Sequence, residues 1–146
     1  MTRPLASCEL CTAAGGEILW QDDLCRVIRV LDPGYPAFCR VVWKAHVAEM
    51  TDLDAGARRH FMRVVFATEA ALRQLYRPTK INLASLGNVV PHLHWHVIAR
   101  FAGDRHFPRP IWAEALRQED AVIPAVAAET LRQAIVFALG QEDGRP

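Results

Sequence analysis

The feature that most constrains the fold is a stretch of strict alternation, PHLHWHVIAR, at residues 91–100. Histidine occupies every second position, at His92, His94 and His96, and an apolar residue follows each one. Successive side chains of a β-strand point to opposite faces of a sheet, so this pattern predicts a strand with three imidazoles on one face. We expect the opposite face, formed by leucine, tryptophan and valine, to pack against a helix.

Other segments supply the remaining elements of a small sheet. The segment TDLD at 51–54 predicts the start of a long helix, with Thr51 or Asp52 as its cap, and the helix ends near Tyr76. A second helix is expected near residues 128–139, in a C-terminal tail. Strands rich in apolar and β-branched residues are predicted at 17–20, 24–31, 37–44, 80–85 and 91–101.

Strands, one long helix and further strands are typical of an α+β fold. The chain has 146 residues, which suits one domain with a sizeable core. The sequence therefore predicts a single domain over residues 1–146. It should contain a mainly antiparallel sheet of about five strands, one long helix and a C-terminal helical tail.

Composition excludes several classes of protein. The net charge is +1, so no bulk electrostatic argument supports binding to nucleic acid or to an anionic membrane. No apolar run approaches the ~20 residues of a membrane span, and MTRPLASCELC lacks the apolar core of a secretory signal. We therefore expect a cytoplasmic protein with reduced or metal-bound cysteines. Cys25 and Cys39 fall in predicted strands and should pack as small hydrophobic residues.

Three interpretations of the histidine row follow from its chemistry. It could be a polar strand face in which histidine has no special role. It could hold zinc, because alternating histidines can supply two or three ligands and an open position would activate water. It could also perform covalent catalysis at phosphorus, because neutral imidazole is a nucleophile near pH 7 and needs no metal.

The segment HLHWHVI matches the His-φ-His-φ-His-φ-φ signature, with φ apolar, of the histidine-triad (HIT) superfamily of nucleotide hydrolases and transferases. The segment VVWKAH, the Gly-Asn turn before the triad, the N-terminal Cys-x-x-Cys and RHFPRPIW extend the likeness to a small bacterial branch. The resemblance covers about residues 8–110 and leaves 111–146 as an extension. It implies an α+β fold, a homodimer and a nucleotide as the small-molecule partner.

The resemblance also implies a role for each histidine. His94 would be the nucleophile that attacks the α-phosphate of a nucleoside phosphate derivative, such as a dinucleoside polyphosphate or a nucleotide phosphoramidate. His96 would contact the phosphate and assist the leaving group. His92 would orient His94 through its backbone carbonyl, which accepts from the ring N–H. No cofactor is required for this reaction.

Substrate-binding residues are implied at Asn88, Asn82 and Asp32, although an Asn or Asp beside a turn also commonly caps that turn. Two departures from the family pattern concern the reaction. Phe38 stands where many relatives have a fourth histidine, and Val89 stands where a Ser or Thr often bonds the leaving group. They keep open an alternative from another class, a nucleotide-binding module with little or no turnover.

Cys8 and Cys11 have the C-x₂-C spacing of a zinc knuckle. Two thiolates need two more ligands, and the resemblance implies His46 and His92. Such a zinc would be structural, because four protein ligands leave no open position. The alternative is a pair of reduced cysteines in a mobile arm.

Overall fold

The structure is a computed structural model that describes residues 3–143; the rest of the predicted domain, 1–2 and 144–146, lies outside the described residues. No helix within the described part of the chain is long and apolar enough to cross a membrane. The elements in chain order are α1 (Glu9–Thr12), β1 (Glu17–Gln21), β2 (Cys25–Arg29), β3 (Phe38–Trp43), a 3₁₀ turn (Met50–Asp52), α2 (Ala55–Tyr76), β4 (Lys80–Ala84), β5 (His94–Arg100) and α3 (Ala128–Asp143).

The five strands form one sheet in the order β1-β2-β3-β5-β4, and each neighbouring pair is antiparallel. The predicted α+β class and strand number are therefore confirmed. Strand β5 lies between β3 and β4, with His94 opposite Val42 and His96 opposite Arg40. Directly opposed residues of an antiparallel pair share a face. His94 and His96 therefore share one side of the sheet with Arg40 and Val42. We call this side the triad face.

The other side of the sheet packs against α2. Phe61, Val64 and Leu72 are fully buried on this helix, and Leu93 and Val97 belong to the same hydrophobic core, as the alternation predicts. The predicted cap at Thr51 or Asp52 is wrong. Those residues form the 3₁₀ turn, and the carboxylate of Asp54 caps α2 by accepting from the backbone of Ala57 at 2.8 Å.

The predicted fifth strand begins too early. Strand β5 starts at His94, and His92 lies in a bend before it. Pro91 has no N–H to donate, and the backbone N–H of His92 bonds to the carbonyl of Val90 at 2.8 Å, which turns the chain. His92 is therefore not the first member of a regular row of three, and its ring is free to point elsewhere.

The C-terminal helix α3 packs on α2 and β1 and buries Leu131, Ile135 and Leu139 in the main core. The predicted helical tail is thus present. Residues 101–127 contain no regular helix or strand. This segment crosses the triad face, where Ile111 packs beside Phe38. The single domain over the whole chain stays a prediction.

Candidate active site

His94 and His96 form a close pair at the start of β5. Their ring centroids are 4.8 Å apart and the planes meet at 80°, so one ring presents its edge to the other. Both side chains are buried. Trp112, from the segment that crosses the triad face, packs its ring 4.9 Å from His96, and Phe38 lies 5.7 Å away on the neighbouring strand. His96 thus has aromatic rings on two sides.

The ring of His94 has a defined tautomer. Its Nδ1 lies 2.6 Å from the backbone carbonyl of His92. A carbonyl can only accept, so Nδ1 carries the proton and Nε2 keeps its lone pair. Burial lowers the pKa of His94, the His92 carbonyl opposes this effect, and Arg40 adds to it. The ring is therefore neutral near pH 7, with a free nitrogen available as a nucleophile.

His96 has the opposite tautomer. The Nε of Arg40 lies 3.4 Å from Nδ1 of His96, and because a guanidinium has no lone pair to accept with, Nδ1 must be the acceptor. The proton of His96 is then on Nε2. Burial, followed by the effects of His94 and Arg40, lowers the pKa of His96 to about 3. His96 is therefore a neutral hydrogen-bond donor near pH 7.

A cavity of about 450 Å³ opens beside the ring of His94. The turn that contains Asn88 forms one wall, and Gly87 adopts a φ of 70° there, a conformation that favours glycine. Glu9 and Leu10 of helix α1 also line the cavity. The lining residues are Glu9, Leu10, Arg40, Leu86, Gly87, Asn88, Val89, Val90, His94 and Trp112.

Of the three substrate-binding residues implied by the sequence, Asn88 shares this cavity with His94 and the other two do not line it. The side-chain oxygen of Asn82, on the triad face, accepts from Arg100 at 2.8 Å. Asp32 closes a turn by accepting from the backbone of Gly34 at 3.0 Å, and it lines a separate cavity of about 400 Å³.

The N-terminal cysteines meet two histidines next to the triad. Their ligand atoms, Sγ of Cys8 and Cys11 and one ring nitrogen each of His46 and His92, lie within 4.8 Å of one another. Nδ1 of His92 is 3.4 Å from Cys8 Sγ and 3.5 Å from Cys11 Sγ, and Nδ1 of His46 is 3.3 Å from Cys11 Sγ. All four residues named from the sequence are therefore brought together.

This geometry fits a tetrahedral zinc ion. Zn–S bonds of about 2.3 Å and Zn–N bonds of about 2.0 Å place the ligand atoms of a tetrahedron roughly 3.3–3.8 Å apart. Nε2 of His92 donates to the carbonyl of Trp43 at 2.6 Å, so the tautomer leaves Nδ1 unprotonated toward the sulfurs. A zinc-bound histidine usually donates its other nitrogen in this way. The donor set therefore suits a structural zinc ion.

The cluster and the cavity share two connections. His92 directs its side chain to the sulfurs and its backbone carbonyl to His94. Glu9 and Leu10, the residues between the two cysteines, form part of the cavity wall. Whatever fixes the N-terminal arm therefore also fixes one side of the cavity.

Sequence reasoning missed Arg40 as a site residue. It lies in β3 opposite His96 and lines the cavity. The signal was a single charged residue inside the otherwise apolar strand FCRVVW, at the position that shares a face with Phe38 and Val42. Without the pairing of β3 with β5, nothing in the sequence indicates that this charge lies beside the histidines.

Comparisons with known proteins agree with this geometry. The family model of the HIT domain matches residues 13–103. A histidine triad protein from Marinobacter aquaeolei VT8 is 26% identical, with a TM-score of 0.68 over 91% of this chain and 94% of its own. One from Bradyrhizobium japonicum is 29% identical, with a TM-score of 0.64 over 88% and 90%.

A zinc-bound histidine triad family protein from Mycobacterium smegmatis is 20% identical and shares the fold, with a TM-score of 0.59 over 94% of this chain and 96% of its own. No curated protein matches the sequence. The family match spans more than half of the chain and includes His92, His94 and His96. This chain therefore belongs to the HIT domain family.

Proposed function

We propose that this protein is a nucleotide hydrolase or transferase that attacks the α-phosphate of nucleoside phosphate derivatives through a covalent intermediate on His94. The observation that carries the proposal is the 2.6 Å hydrogen bond from Nδ1 of His94 to the carbonyl of His92. It leaves the lone pair of Nε2 for attack. Membership of the HIT family and the adjacent cavity with Asn88 support the same function.

In the first step, Nε2 of His94 forms a bond to the α-phosphorus as the bond from phosphorus to the leaving group breaks. The leaving group departs with the electron pair. His96 donates a hydrogen bond from Nε2 to a phosphate oxygen, and Asn88 offers its amide to another. Water then attacks phosphorus, the N–P bond breaks, and a nucleoside monophosphate and a proton are released.

The test compares the parent with His94→Asn on dinucleoside polyphosphates and nucleotide phosphoramidates. We expect turnover to fall by at least about 10⁴-fold, because loss of a nucleophile removes the covalent step. His60→Asn is the matched control, since His60 lies on α2 and pairs with Asp22 at 2.7 Å, outside the cavity. Unchanged turnover in His94→Asn would exclude the mechanism.

A nucleotide-binding module with little turnover is the second candidate. Two observations favour it: Val89 provides no hydroxyl, and the ring of Trp112 covers His96. A solved relative from Sulfolobus tokodaii strain7 is described as a hypothetical histidine triad nucleotide-binding protein. Calorimetry that finds micromolar binding of a nucleoside monophosphate, with no hydrolysis of either substrate class, would select this candidate.

We also propose that Cys8, Cys11, His46 and His92 bind one structural zinc ion, supported by their mutual distances and by the zinc-bound relative. Elemental analysis should give one zinc per chain in the parent and much less in Cys11→Ala. The thermal unfolding temperature of Cys11→Ala should also be lower. Equal metal content in the two proteins would contradict this assignment. Cys39→Ala is the control for metal content, because Cys39 is buried in the main core and is not part of the cluster.

The protein is proposed to act as a homodimer. Support comes from the edge position of β4 in the sheet and from the nearby side chains of Leu86 and Val89, which are exposed by 49% and 93%. An edge strand with adjacent exposed apolar groups is a common contact surface. Light scattering of the eluted protein should give twice the chain mass, and a monomeric mass at micromolar concentration would exclude a stable dimer.

A further inference from the structure

Arg40 differs from the other arginines of the triad face in its partners. Arg26 donates to three carbonyls of the N-terminal arm, and Arg100 donates to Asp104, to a side-chain amide and to a carbonyl. Within residues 3–143, Arg40 makes one hydrogen bond, the long contact from its Nε to His96. Its two terminal nitrogens have no acceptor there, and the side chain lines the cavity.

The charge of Arg40 is also without a close counter-ion. No carboxylate of the described chain forms an ion pair with it. Burial lowers the pKa of Arg40, and Glu9, on the rim of the same cavity, opposes this from a distance. The guanidinium lies 5.4 Å from the ring centroid of Phe38, which holds it in place. Burying half of a guanidinium without acceptors for its N–H groups costs free energy, and a bound anion would offset that cost.

The neighbouring groups indicate what kind of anion fits. A departing amine needs a proton from an acid, but His96 is a neutral donor near pH 7 and Val89 has no hydroxyl. A departing phosphate leaves as an anion and needs a positive charge beside it instead. Arg40 provides that charge, and its planar fork suits the oxygens of a phosphate.

We propose that Arg40 binds the anionic leaving group, so that the site selects nucleoside derivatives whose α-phosphate is joined to a phosphate or polyphosphate chain over those joined to an uncharged amine. The inference rests on the function proposed above and names its substrate class. As Nε2 of His94 bonds to phosphorus and the bridging P–O bond breaks, the electron pair passes to the bridging oxygen of the chain. The guanidinium of Arg40 then neutralises the charge that develops there.

The test measures kcat/KM of the parent, Arg40→Gln and Arg40→Lys on a dinucleoside polyphosphate and on a nucleotide phosphoramidate with the same base. We expect Arg40→Gln to lose about 100-fold on the polyphosphate and less than about fivefold on the phosphoramidate. Arg40→Lys should retain the polyphosphate activity within about tenfold, because it keeps the charge. Arg58→Gln is the control, since Arg58 is exposed on α2.

An equal loss on both substrates, or no loss on either, would overturn the inference. Failure of the parent to turn over either substrate would instead count against the proposed function, and a binding measurement then decides the role of Arg40. Calorimetry should show that the parent binds a nucleoside triphosphate at least about tenfold more tightly than the monophosphate, and that Arg40→Gln loses this preference. Equal affinities of the parent for the two nucleotides would refute the inference.

Discussion

Arg100 and Arg40 project from the same face of the same sheet, yet their surroundings are opposite. Arg100 is 1% exposed and forms a two-pronged ion pair with Asp104, with N–O distances of 2.8 and 3.0 Å. Asp104 also accepts from Tyr35 and from three backbone N–H groups. Among the described residues, Arg40 makes only the long hydrogen bond to His96 and a contact with the ring of Phe38.

Arg100 finds its polar partners within the fold, whereas the terminal nitrogens of Arg40 have no acceptor among the described residues. Burial alone would raise the pKa of Asp104, but the hydrogen bonds from Arg100 and the backbone lower it to about 2. That network secures the start of the segment that carries Trp112 across the triad face. Arg40 and the neighbouring His94 line a cavity, where the N–H groups of the guanidinium and the lone pair on Nε2 of His94 lack protein partners. Such unpaired polar groups lower the stability of the fold but can bind a ligand.

The same substitution at both arginines tests this contrast most strongly. Arg100→Met should lower the free energy of unfolding by about 3–5 kcal/mol, because it leaves the buried carboxylate of Asp104 without its cation. Arg40→Met should change it by less than about 1 kcal/mol, because no buried partner is abandoned. Urea denaturation of both variants measures this, and comparable losses would remove the distinction.

As the pH is lowered, protonation of His96 beside the cavity should reduce the free energy of unfolding at a higher pH than protonation of Asp104 in the Arg100 network. The folded-state pKa of His96, about 3, lies below its ordinary value of 6.5, so the unfolded chain binds a proton that the folded chain does not. The contribution of His96 to stability is complete above about pH 6.5 and falls below it, by at most about 1.4 kcal/mol per pH unit.

His96→Gln should therefore flatten the fall in unfolding free energy between pH 6.5 and pH 5, measured by urea denaturation beside the parent. Asp104 titrates in the same sense but at lower pH. Its pKa is lowered from 3.8 to about 2, so its stabilisation is lost only as the pH falls through that interval. Identical pH profiles for parent and variant would show that His96 does not sense acid in this range.

Removing the hydroxyl of Tyr35, which belongs to the Arg100–Asp104 network, should have a smaller effect on stability. Its hydroxyl lies 3.1 Å from Asp104 and 2.5 Å from Nδ1 of His106. Tyr35→Phe should lower the free energy of unfolding by only about 1 kcal/mol, because Asp104 keeps its bonds from Arg100 and the backbone. Nucleotide binding should be unaffected, and a large loss of binding would mean that the two regions are coupled.

Sequence alone predicted the elements that depend on local pattern. The period-two alternation placed His94 and His96 on one face and Val97 on the other, and the apolar periodicity of α2 identified its buried side. The four residues that the family resemblance implied for a zinc site are distant in the chain, and the structure brings them together; their role as ligands stays a prediction.

The parts that failed depend on geometry that no local pattern records. Alternation extended the strand through His92, whereas Pro91 bends the chain and turns that ring toward the cysteines. Asp32 precedes Pro-Gly and accepts from the backbone of Gly34 in its own turn, and its role in substrate binding stays a prediction. Arg40 lies beside the histidines only because β3 pairs with β5, and its contact with His96 spans 56 residues of sequence. Strand pairing of this kind is a property of the whole fold.

The connection between Cys8 and His92 has a consequence for the order of folding. The two residues are 84 positions apart, and contacts of such separation close a large loop, which costs entropy and slows their formation. The arm that carries Glu9 and Leu10 is synthesised first and is bonded to Arg26 of β2, but its contact with His92 can form only after the bend before β5 is in place. A chain that ends before residue 92 therefore lacks the long-range contact that ties the arm to the site, as well as the histidine pair itself.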